Sequence, residues 1–439
     1  MADRAAQERL REALAAVPLI DTHEHLDRET ERIERGVDFG YLFMHYAASD
    51  LVSAGMPPAD LVLVQAPGGD EDEKWRRFAP WWVKARNTAY SKAVLLALCE
   101  LYEIDDLNER TYRAVGEAMR AATGRGQYRR VFQRAGIEKA LWNNRDHRNL
   151  TTTTSSNFLG RDLGEEPFIQ DMVDVFIAGE VETVEKELGV AIRTLDDLLA
   201  AVDGLIDRFA DRVAAYKIGS AYHRSLDFAE VSRSEAKAVF KKHGEKKLRF
   251  RTMERPYFFP AETKALEDYV FHHIVRAAMR HDLPIKIHTG LQEGNANDIR
   301  NSRVTDLIPV FLRYPEARFD IYHIGWPYDK ELAAIAKNFR NVAIDMCWMW
   351  VISPTEAGRA LQTFLETVPA NKIFGFGGDY VFIEGTYAHA RIAREGITRA
   401  LARKVDEGYL DEEEALRIGK GLFRENAIDF FRLREKKLL

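Results

Sequence analysis

Short apolar segments alternate with amphipathic segments along this 439-residue chain, and this alternation constrains the fold more than any other feature. The amphipathic segments, such as 261–280 and 304–313, have apolar residues at helical spacing. The apolar segments predict strands at 18–26, 137–143, 168–176, 213–219, 284–288, 319–323, 341–346 and 372–376. Repeated strand-helix units imply right-handed crossovers and a parallel sheet. Eight strands are the number that closes a barrel, so we expect the α/β class and a (β/α)8 TIM barrel.

Residues 28–136 interrupt this alternation with helical patterns and few strand-like segments. Two of these patterns, 87–103 and 107–123, repeat apolar residues at helical spacing. We therefore expect a long helical insertion, or cap, after the first strand, with residues 1–27 and 137–439 forming the barrel. The sequence contains no linker rich in Pro, Gly or Ser that would mark a further independent domain.

Composition limits the partners and the compartment that we expect. The chain has 63 Lys and Arg against 69 Asp and Glu, a net charge of -6, which favours neither a nucleic-acid partner nor a membrane surface. Its two cysteines, Cys99 and Cys347, are too few for a disulfide framework and fit a reducing compartment. Residues 1–16 have the pattern of an amphipathic helix rather than of a secretion signal. We expect a cytoplasmic protein.

Two histidines stand two positions apart at the end of the first predicted strand, in the stretch Asp21-Thr22-His23-Glu24-His25. On a strand, side chains two positions apart point to the same face, so His23 and His25 can present two imidazoles to one ion. On a helix, the same separation would place them about 200° apart around the axis. The spacing therefore predicts a pair of metal ligands on a strand, in contrast to the helical His-Glu-x-x-His pattern.

Four later strands end on, or lead into, a residue that can bind a metal ion or move a proton. These residues are Lys217, His288, His323 and Asp379. In an eight-stranded barrel the carboxyl ends of the strands face one mouth, so side chains far apart in sequence converge there. Each residue taken alone also has an ordinary structural explanation, such as an aspartate in a turn. Together with the end of the first predicted strand, which carries His23 and His25, five strand ends carry such residues, and this favours a shared site.

The role of Lys217 is open. This residue shares a strand face with Ala215 and Gly219, and an inward lysine is costly unless it is paired or modified. A lysine carboxylated on its amine would bridge two metal ions, whereas an unmodified ammonium would bind an anionic substrate. Lys286 raises the same question because it shares the face of His288.

Taken together, these motifs resemble those of the metal-dependent amidohydrolase superfamily. The resemblance rests on residues 21–25, the His-Thr-Gly at 288–290, the Tyr-His-Ile-Gly-Trp-Pro-Tyr at 322–328 and the Phe-Gly-Gly-Asp at 376–379. It is strongest to the amidohydrolase-related (amidohydrolase 2) branch, which includes uronate isomerases and metal-dependent decarboxylases. It covers about 18–26 and 137–430, and the motifs are specific for the superfamily but not for a substrate.

The resemblance implies a divalent metal ion, commonly zinc, with Mn2+ or Fe2+ as alternatives. The implied ligands are His23, His25, His288 and Asp379. The resemblance also implies that Asp379 takes a proton from water, while His323 polarises a substrate carbonyl or protonates a leaving group. If Lys217 is carboxylated, His288 and His323 would instead hold a second metal ion.

Three loops, 217–224, 292–300 and 346–350, carry side chains that can select a substrate, and the second offers Asn295, Asn297 and Arg300. The candidates are Lys217, Tyr222, Arg224 and Trp348, with His223 beside Tyr222. An arginine with a lysine nearby predicts a small, carboxylate-bearing molecule, because a guanidinium binds a carboxylate bidentately. We expect an enzyme that hydrolyses a C–N or C–O bond in such a molecule.

Three other readings stay open. The first two are an isomerase acting on a uronate-like sugar acid and a non-oxidative decarboxylase, both of which would use the same ligands. The third is a barrel that serves only as a binding or scaffold protein. The loss of a metal-binding residue would favour this interpretation, but none of the implied metal-binding residues is missing from the sequence. Aromatic residues within 28–136 are compatible with a homo-oligomer.

Overall fold

A computed structural model of the chain describes residues 2–143, 168–170, 172–173, 185, 188–222, 224–243 and 263–439. His223, one of the residues grouped above with Tyr222, lies outside these ranges. Within the described part, no helix is both long enough and apolar enough to cross a membrane.

The described elements alternate between helices and short strands. The strands are β1 (Leu19–Glu24), β2 (Ile137–Trp142), β3 (Phe168–Gln170), β4 (Met172–Val173), β5 (Tyr216–Ile218), β6 (Ile285–His288), β7 (Phe319–Tyr322), β8 (Val342–Asp345) and β9 (Ile373–Phe374). The α-helices are α1 (Ala2–Ala15), α2 (Glu29–Arg35), α3 (Tyr46–Ser53), α4 (Pro58–Gln65), α5 (Glu71–Ala85), α6 (Ala89–Tyr102), α7 (Tyr112–Ala122), α8 (Gln127–Ala135), α9 (Leu195–Phe209), α10 (Arg233–His243), α11 (Lys264–Arg280), α12 (Ile308–Arg313), α13 (Asp329–Asn338), α14 (Met349–Ile352), α15 (Pro354–Thr367), α16 (Ile383–Asp406), α17 (Glu412–Lys420) and α18 (Asn426–Phe431).

All strand pairs of the described chain are parallel. Strands β1 to β3 form one sheet and β4 to β9 form a second sheet, each in sequential order. Sequential parallel strands need a crossover connection between them, and helices α9 to α15 supply these crossovers in the second sheet. Each of the eight segments predicted as strands contains a strand, and the third contains both β3 and β4. The predicted α/β class is therefore confirmed.

Backbone hydrogen bonds join β1 to the segment that follows β9. The amide of Asp379 donates to the carbonyl oxygen of His23 (2.7 Å), and the amide of His25 donates to that of Tyr380 (3.1 Å). The first strand of the first sheet thus lies beside the segment after the last strand of the second sheet, which is the neighbour relation that a barrel requires. Closure of the complete eight-stranded barrel stays a prediction.

Residues 28–136, all of which are described, contain helices α2 to α8 and no strand. Their aromatic side chains form a buried cluster that includes Trp75, Phe78 and Trp82. Trp348 and Tyr380, from the loops after β8 and β9, belong to the same cluster. The helices of this segment therefore pack against the loops at the carboxyl ends of the strands. Whether the segment is a separate cap domain stays a prediction.

The 24-residue helix α16 is a feature that the sequence patterns did not predict. It packs against α1, α6, α8 and α15, so apolar residues occur on several of its faces. A helix buried on several sides lacks the single apolar stripe by which an amphipathic helix is recognised in a sequence.

Candidate metal centre

Ligand atoms of three side chains lie close together. These side chains are His23 of β1, His25 directly after β1, and Asp379 in the loop after β9. The Nε2 atoms of His23 and His25 are 3.2 Å apart. Asp379 Oδ1 lies 3.5 Å from His23 Nε2 and 3.3 Å from His25 Nε2. Zinc binds imidazole nitrogen at about 2.0–2.1 Å, so two ligand atoms of a tetrahedral site are about 3.3 Å apart. The three atoms, from residues that the sequence singled out, therefore fit one divalent ion.

The protonation of the two imidazoles is compatible with metal binding. His25 Nδ1 lies 2.9 Å from the carbonyl oxygen of Asn143, which can only accept, so the ring proton is on Nδ1 and Nε2 keeps a lone pair. Burial, together with the cations Lys217 and Lys286, lowers the pKa of His23 well below its usual value. His23 is therefore neutral at pH 7. Its Nδ1 lies 3.3 Å from Lys286 Nζ.

Lys217 reaches two of these three atoms from β5. Its Nζ lies 3.0 Å from His23 Nε2 and 3.2 Å from His25 Nε2. An ammonium in this position uses the lone pairs that a metal ion would use, and the two cations would repel each other. A bound metal ion therefore requires Lys217 to be neutral, carboxylated or displaced.

Two carboxyl groups of β1 hold the loop that carries Asp379. The amide of Gly378 donates to Asp21 Oδ1 (2.9 Å), and the amide of Tyr380 donates to Glu24 Oε2 (3.0 Å). Between them, Asp379 has a backbone φ of 56°, in the left-handed region. Burial raises the pKa of Asp21 to about 7 and also raises that of Glu24, so the pair retains at least one proton at neutral pH. We refer to Asp21 and Glu24 as the carboxyl clasp.

His288 and His323 form a second pair of imidazoles. His288 Nδ1 lies 3.1 Å from His323 Nε2. Among the described residues, the group of ligand atoms formed by His23, His25 and Asp379 does not include His288. His323 Nε2 lies 3.7 Å from Asp379 Oδ2. The structure thus places His288 beside His323, and its role as a ligand together with the β1 histidines stays a prediction.

Cys347 is a potential ligand that the sequence analysis did not single out. Its sulfur lies within 4.8 Å of ligand atoms of His323 and Asp379, and all three residues are buried. Cys347 stands two residues beyond the end of β8 at Asp345. His288 and His323 were selected because they stand at the carboxyl ends of strands. The same criterion would have selected Cys347.

Two of the predicted substrate-binding residues border the second imidazole pair. The ring of Tyr222 packs against His288 with centroids 4.6 Å apart, and its hydroxyl oxygen accepts from the amide of Glu293 (3.1 Å). Trp348 is buried and meets the ring of His323 edge to face at 5.1 Å. Both side chains form part of the wall of the site.

Arg224 does not join the site, which corrects its predicted role as an anchor for a substrate carboxylate. The guanidinium is buried and pairs with Glu267 through Nη1 (3.0 Å) and with Asp268 through Nη2. It also donates to the backbone oxygens of Ser225 (3.1 Å) and Asp227 (2.8 Å). Its charge is balanced by two carboxylates, so Arg224 links the β5 loop to helix α11. The cations that remain at the candidate centre are Lys217 on β5 and Lys286 on β6, and Lys217 is the one that reaches the Nε2 atoms of His23 and His25.

A parallel α/β fold that gathers imidazoles and a carboxylate at the carboxyl ends of its strands is typical of metal-dependent barrel enzymes. The chain belongs to the amidohydrolase family, whose sequence profile matches residues 180–433, more than half of its length. The resemblance to the amidohydrolase superfamily found in the motifs is therefore confirmed.

Individual relatives are distant. Protein fluG of Emericella nidulans is 24% identical over 181 residues, which are 40% of this chain but 21% of that protein. The chain therefore spans about a fifth of the length of this relative.

Three solved structures share the fold along nearly the whole chain. Uronate isomerase from Thermotoga maritima has a TM-score of 0.75 and 14% identity, over 97% of both chains. Glucuronate isomerase from Caulobacter crescentus has a TM-score of 0.74 and 18% identity, over 98% of this chain and 95% of that one. A candidate metal-dependent hydrolase from Lactobacillus casei has a TM-score of 0.67 and 17% identity, over 97% and 98%. At these identities the similarity establishes the fold alone.

Proposed function

We propose that this protein is a metal-dependent hydrolase that cleaves a C–N or C–O bond of a small, anionic molecule with a metal-activated water. The observation that carries the proposal is the triangle of His23 Nε2, His25 Nε2 and Asp379 Oδ1, with sides of 3.2, 3.5 and 3.3 Å. These sides match the spacing of about 3.3 Å expected for ligands of one tetrahedral ion.

His23, His25 and Asp379 would hold the ion, which we propose to be zinc because imidazole and carboxylate ligands suit it. A divalent ion bound there lowers the pKa of water from 15.7 toward about 7 and so supplies hydroxide at neutral pH. Lys217 can complete the set if its amine adds carbon dioxide and loses a proton, since the resulting carbamate is an anionic oxygen ligand. Without this modification, Lys217 is the cation available to an anionic substrate.

Asp379 and His323 provide a route for the proton. Asp379 Oδ1 faces the β1 histidines, whereas Oδ2 faces His323 Nε2 at 3.7 Å. His323 Nδ1 lies 3.1 Å from the carbonyl oxygen of Cys347, so the ring proton is on Nδ1 and Nε2 can accept. A proton taken from water by Asp379 would pass to His323 Nε2 and from there to the leaving group.

Substrate selection would rest on Lys217, Tyr222 and Trp348. Tyr222 and Trp348 supply ring surfaces beside His288 and His323. Arg224 is paired with Glu267 and Asp268, so Lys217 would bind the carboxylate of the substrate in its place.

The test is hydrolysis in H2(18)O by the full chain, loaded separately with Zn2+, Mn2+ and Fe2+. The substrates are N-acyl amino acids and hydroxy-acid esters, which carry one carboxylate next to an amide or ester bond. We expect one 18O atom in the product per turnover, loss of at least 100-fold in rate for Asp379→Asn, and no loss for the exposed control Arg359→Leu. A metal-loaded protein that incorporates no 18O from any of these substrates would contradict the hydrolase proposal.

The second candidate function is isomerisation of a uronate. The observation that favours it is that uronate isomerases match 97% or more of this chain, including the helical region 28–136 that the family profile does not reach. Asp379 and His323 would then move a proton between adjacent carbons of the sugar acid. Incubation of uronates with the metal-loaded protein in D2O would form a ketose that carries deuterium at C1, whereas a hydrolase would leave the sugar unchanged.

A further inference from the structure

Helix α16 contacts the loop that carries Asp379 through a buried histidine. His389 lies in the second turn of this helix and has no exposed surface. Its Nδ1 lies 2.9 Å from the carbonyl oxygen of Gly378, the residue directly before Asp379. His389 is not one of the histidines that the sequence patterns singled out, because it stands within a helix and not at the end of a strand.

The protonation of His389 fixes the direction of this hydrogen bond. A carbonyl oxygen only accepts, so Nδ1 carries a proton and His389 is the donor. Burial lowers the pKa of His389 to about 3, so the ring is neutral at pH 7 and Nε2 has a lone pair. Within the described part of the chain, this Nε2 atom is buried without a hydrogen-bond partner. Such an acceptor costs free energy that an apolar residue would avoid, so the Nδ1–H donor explains the use of a histidine here.

The peptide group between Gly378 and Asp379 is thereby held at both ends. Its oxygen accepts from His389 Nδ1, and its N–H, which belongs to Asp379, donates to the carbonyl oxygen of His23 (2.7 Å). A peptide group is planar, so bonds at its two ends fix the orientation of the whole plane.

The orientation of this plane determines the backbone conformation at Asp379. The φ of Asp379 is 56°, in the left-handed region that a residue other than glycine adopts only when its surroundings hold it there. Without the bond from His389, the plane can rotate and relieve this strain. The side chain of Asp379 would turn with it, and Oδ1 would leave its place 3.3 Å from His25 Nε2.

Close packing fixes the distance between helix α16 and this loop. The ring of Tyr380, directly after Asp379, lies against Gly385 of α16, where an added Cβ atom would be 2.1 Å from Tyr380 Cδ1. The rings of His389 and Phe376 meet edge to face at 5.1 Å. The helix and the loop thus pack as one unit, in which His389 has little freedom to turn away from the loop.

We propose that His389 is a positioning residue for Asp379. Its Nδ1–H group holds the peptide before Asp379 in the orientation from which Oδ1 faces His25 and Oδ2 faces His323. His389 touches neither the ion nor a substrate and acts through the carboxylate alone. Its effect on metal binding needs only the ligand role of Asp379, whereas its effect on the proton route rests on the proposed function.

The test compares His389→Asn with His389→Leu in the full chain, titrated with Co2+ and followed by the visible absorption of the bound ion. The amide nitrogen of asparagine can take the place of Nδ1 and donate to Gly378, whereas leucine keeps much of the bulk and loses the donor. We expect His389→Leu to bind Co2+ about 10- to 100-fold more weakly, with an altered absorption band, as for other groups that orient ligands. His389→Asn should keep the affinity and the band of the unaltered protein.

His272→Leu is the matched control. His272 of helix α11 is also buried, and its Nε2 lies 3.2 Å from a backbone carbonyl oxygen, that of Phe228, outside the candidate centre. This variant should bind Co2+ as the unaltered protein does. Unchanged Co2+ affinity in His389→Leu, or equal losses in His389→Leu and His389→Asn, would overturn the proposal.

A second measurement does not depend on the folding of His389→Leu. Imidazole 15N NMR of the unaltered protein is expected to show His389 with its proton on Nδ1 at pH 7. The signals of His389 are identified by their loss in His389→Asn. A proton on Nε2 in place of Nδ1 would exclude the bond to Gly378 and refute the inference.

The outcome is separable from that of the hydrolase test. Weaker Co2+ binding by His389→Leu, together with no hydrolysis by the unaltered protein, would remove the proposed function and keep this inference. Hydrolysis by the unaltered protein, with the same Co2+ affinity in His389→Leu, would remove this inference alone. An unaltered protein that binds no Co2+ would contradict both.

Discussion

At the scale of single residues, the position of Asp379 depends on groups that never touch the proposed ion. The carboxyl clasp binds the amides on both sides of Asp379, and Gly378 fits closely against it. A Cβ atom on Gly378 would lie 1.7 Å from Glu24 Oε1 and 2.9 Å from Asp21 Oδ2. Only glycine therefore allows the clasp to close on this loop.

Gly378→Ala is expected to displace Glu24 and with it the loop that carries Asp379. We expect the metal affinity to fall about 10- to 100-fold, as for other groups that orient ligands. Steric overpacking should lower the free energy of unfolding by about 1–3 kcal/mol. The measurements are metal titration and urea unfolding of the purified variant.

Gly358→Ala is the matched control. Gly358 lies within helix α15, where an added Cβ meets no atom within 4 Å, so alanine should stabilise the helix by up to about 1 kcal/mol and leave metal affinity unchanged. Equal metal affinity in both variants would show that the clasp does not position Asp379.

At the scale of elements, a buried ion pair fastens the helical region 28–136 to helix α16. Arg32 of α2 donates through Nη1 (2.9 Å) and Nη2 (2.6 Å) to the carboxylate of Glu384, and Tyr102 of α6 donates to the same carboxylate. Burial alone would raise the pKa of Glu384, but the Arg32 guanidinium outweighs it and the pKa is lowered. Three helices that are distant in sequence thus share one charged contact.

Arg32→Leu is expected to lower the free energy of unfolding by about 3–5 kcal/mol, because it leaves the carboxylate of Glu384 buried without its partner. Urea unfolding at pH 7 measures the loss. Arg359→Leu removes one partner of the exposed pair with Glu356, and this control should cost about 0–1 kcal/mol. Similar costs for both variants would mean that the Arg32 contact adds no stability of its own.

At the scale of the whole molecule, the candidate metal centre joins the first strand of the chain to the loop after its last strand. His23 and His25 belong to the first strand segment, and Asp379 follows the last strand, β9. The unfolded chain does not hold these residues together, so an ion that binds all three favours the folded state.

We therefore expect Zn2+ to raise the midpoint of thermal unfolding, and a chelator to reverse the effect. At a free metal concentration of 100 times the Kd, the stabilisation is about 2.7 kcal/mol. Differential scanning calorimetry measures the shift. Asp379→Asn, which keeps the size of the side chain but removes its charge, should show a much smaller shift. An unchanged shift in this variant would exclude Asp379 from the ligands.

The sequence by itself determined the features that depend on local patterns. Strand positions followed from short apolar segments, because burial between helices requires them to be apolar. The pairing of His23 with His25 followed from the two-residue period of a strand. The convergence of Lys217 and Asp379 on this pair followed from the rule that parallel strands end at one edge.

Only the tertiary structure decided which partner each polar group has. Arg224 lies in the predicted loop, yet Glu267 and Asp268 of helix α11 bind it, and no local pattern shows which distant carboxylates approach a guanidinium. The placement of Cys347 beside His323 likewise depends on how β7 and β8 pair and how their loops pack. Local periodicity fixes the direction of a side chain on its own element, whereas hydrogen bonds and ion pairs depend on distances that exist only after the chain has packed.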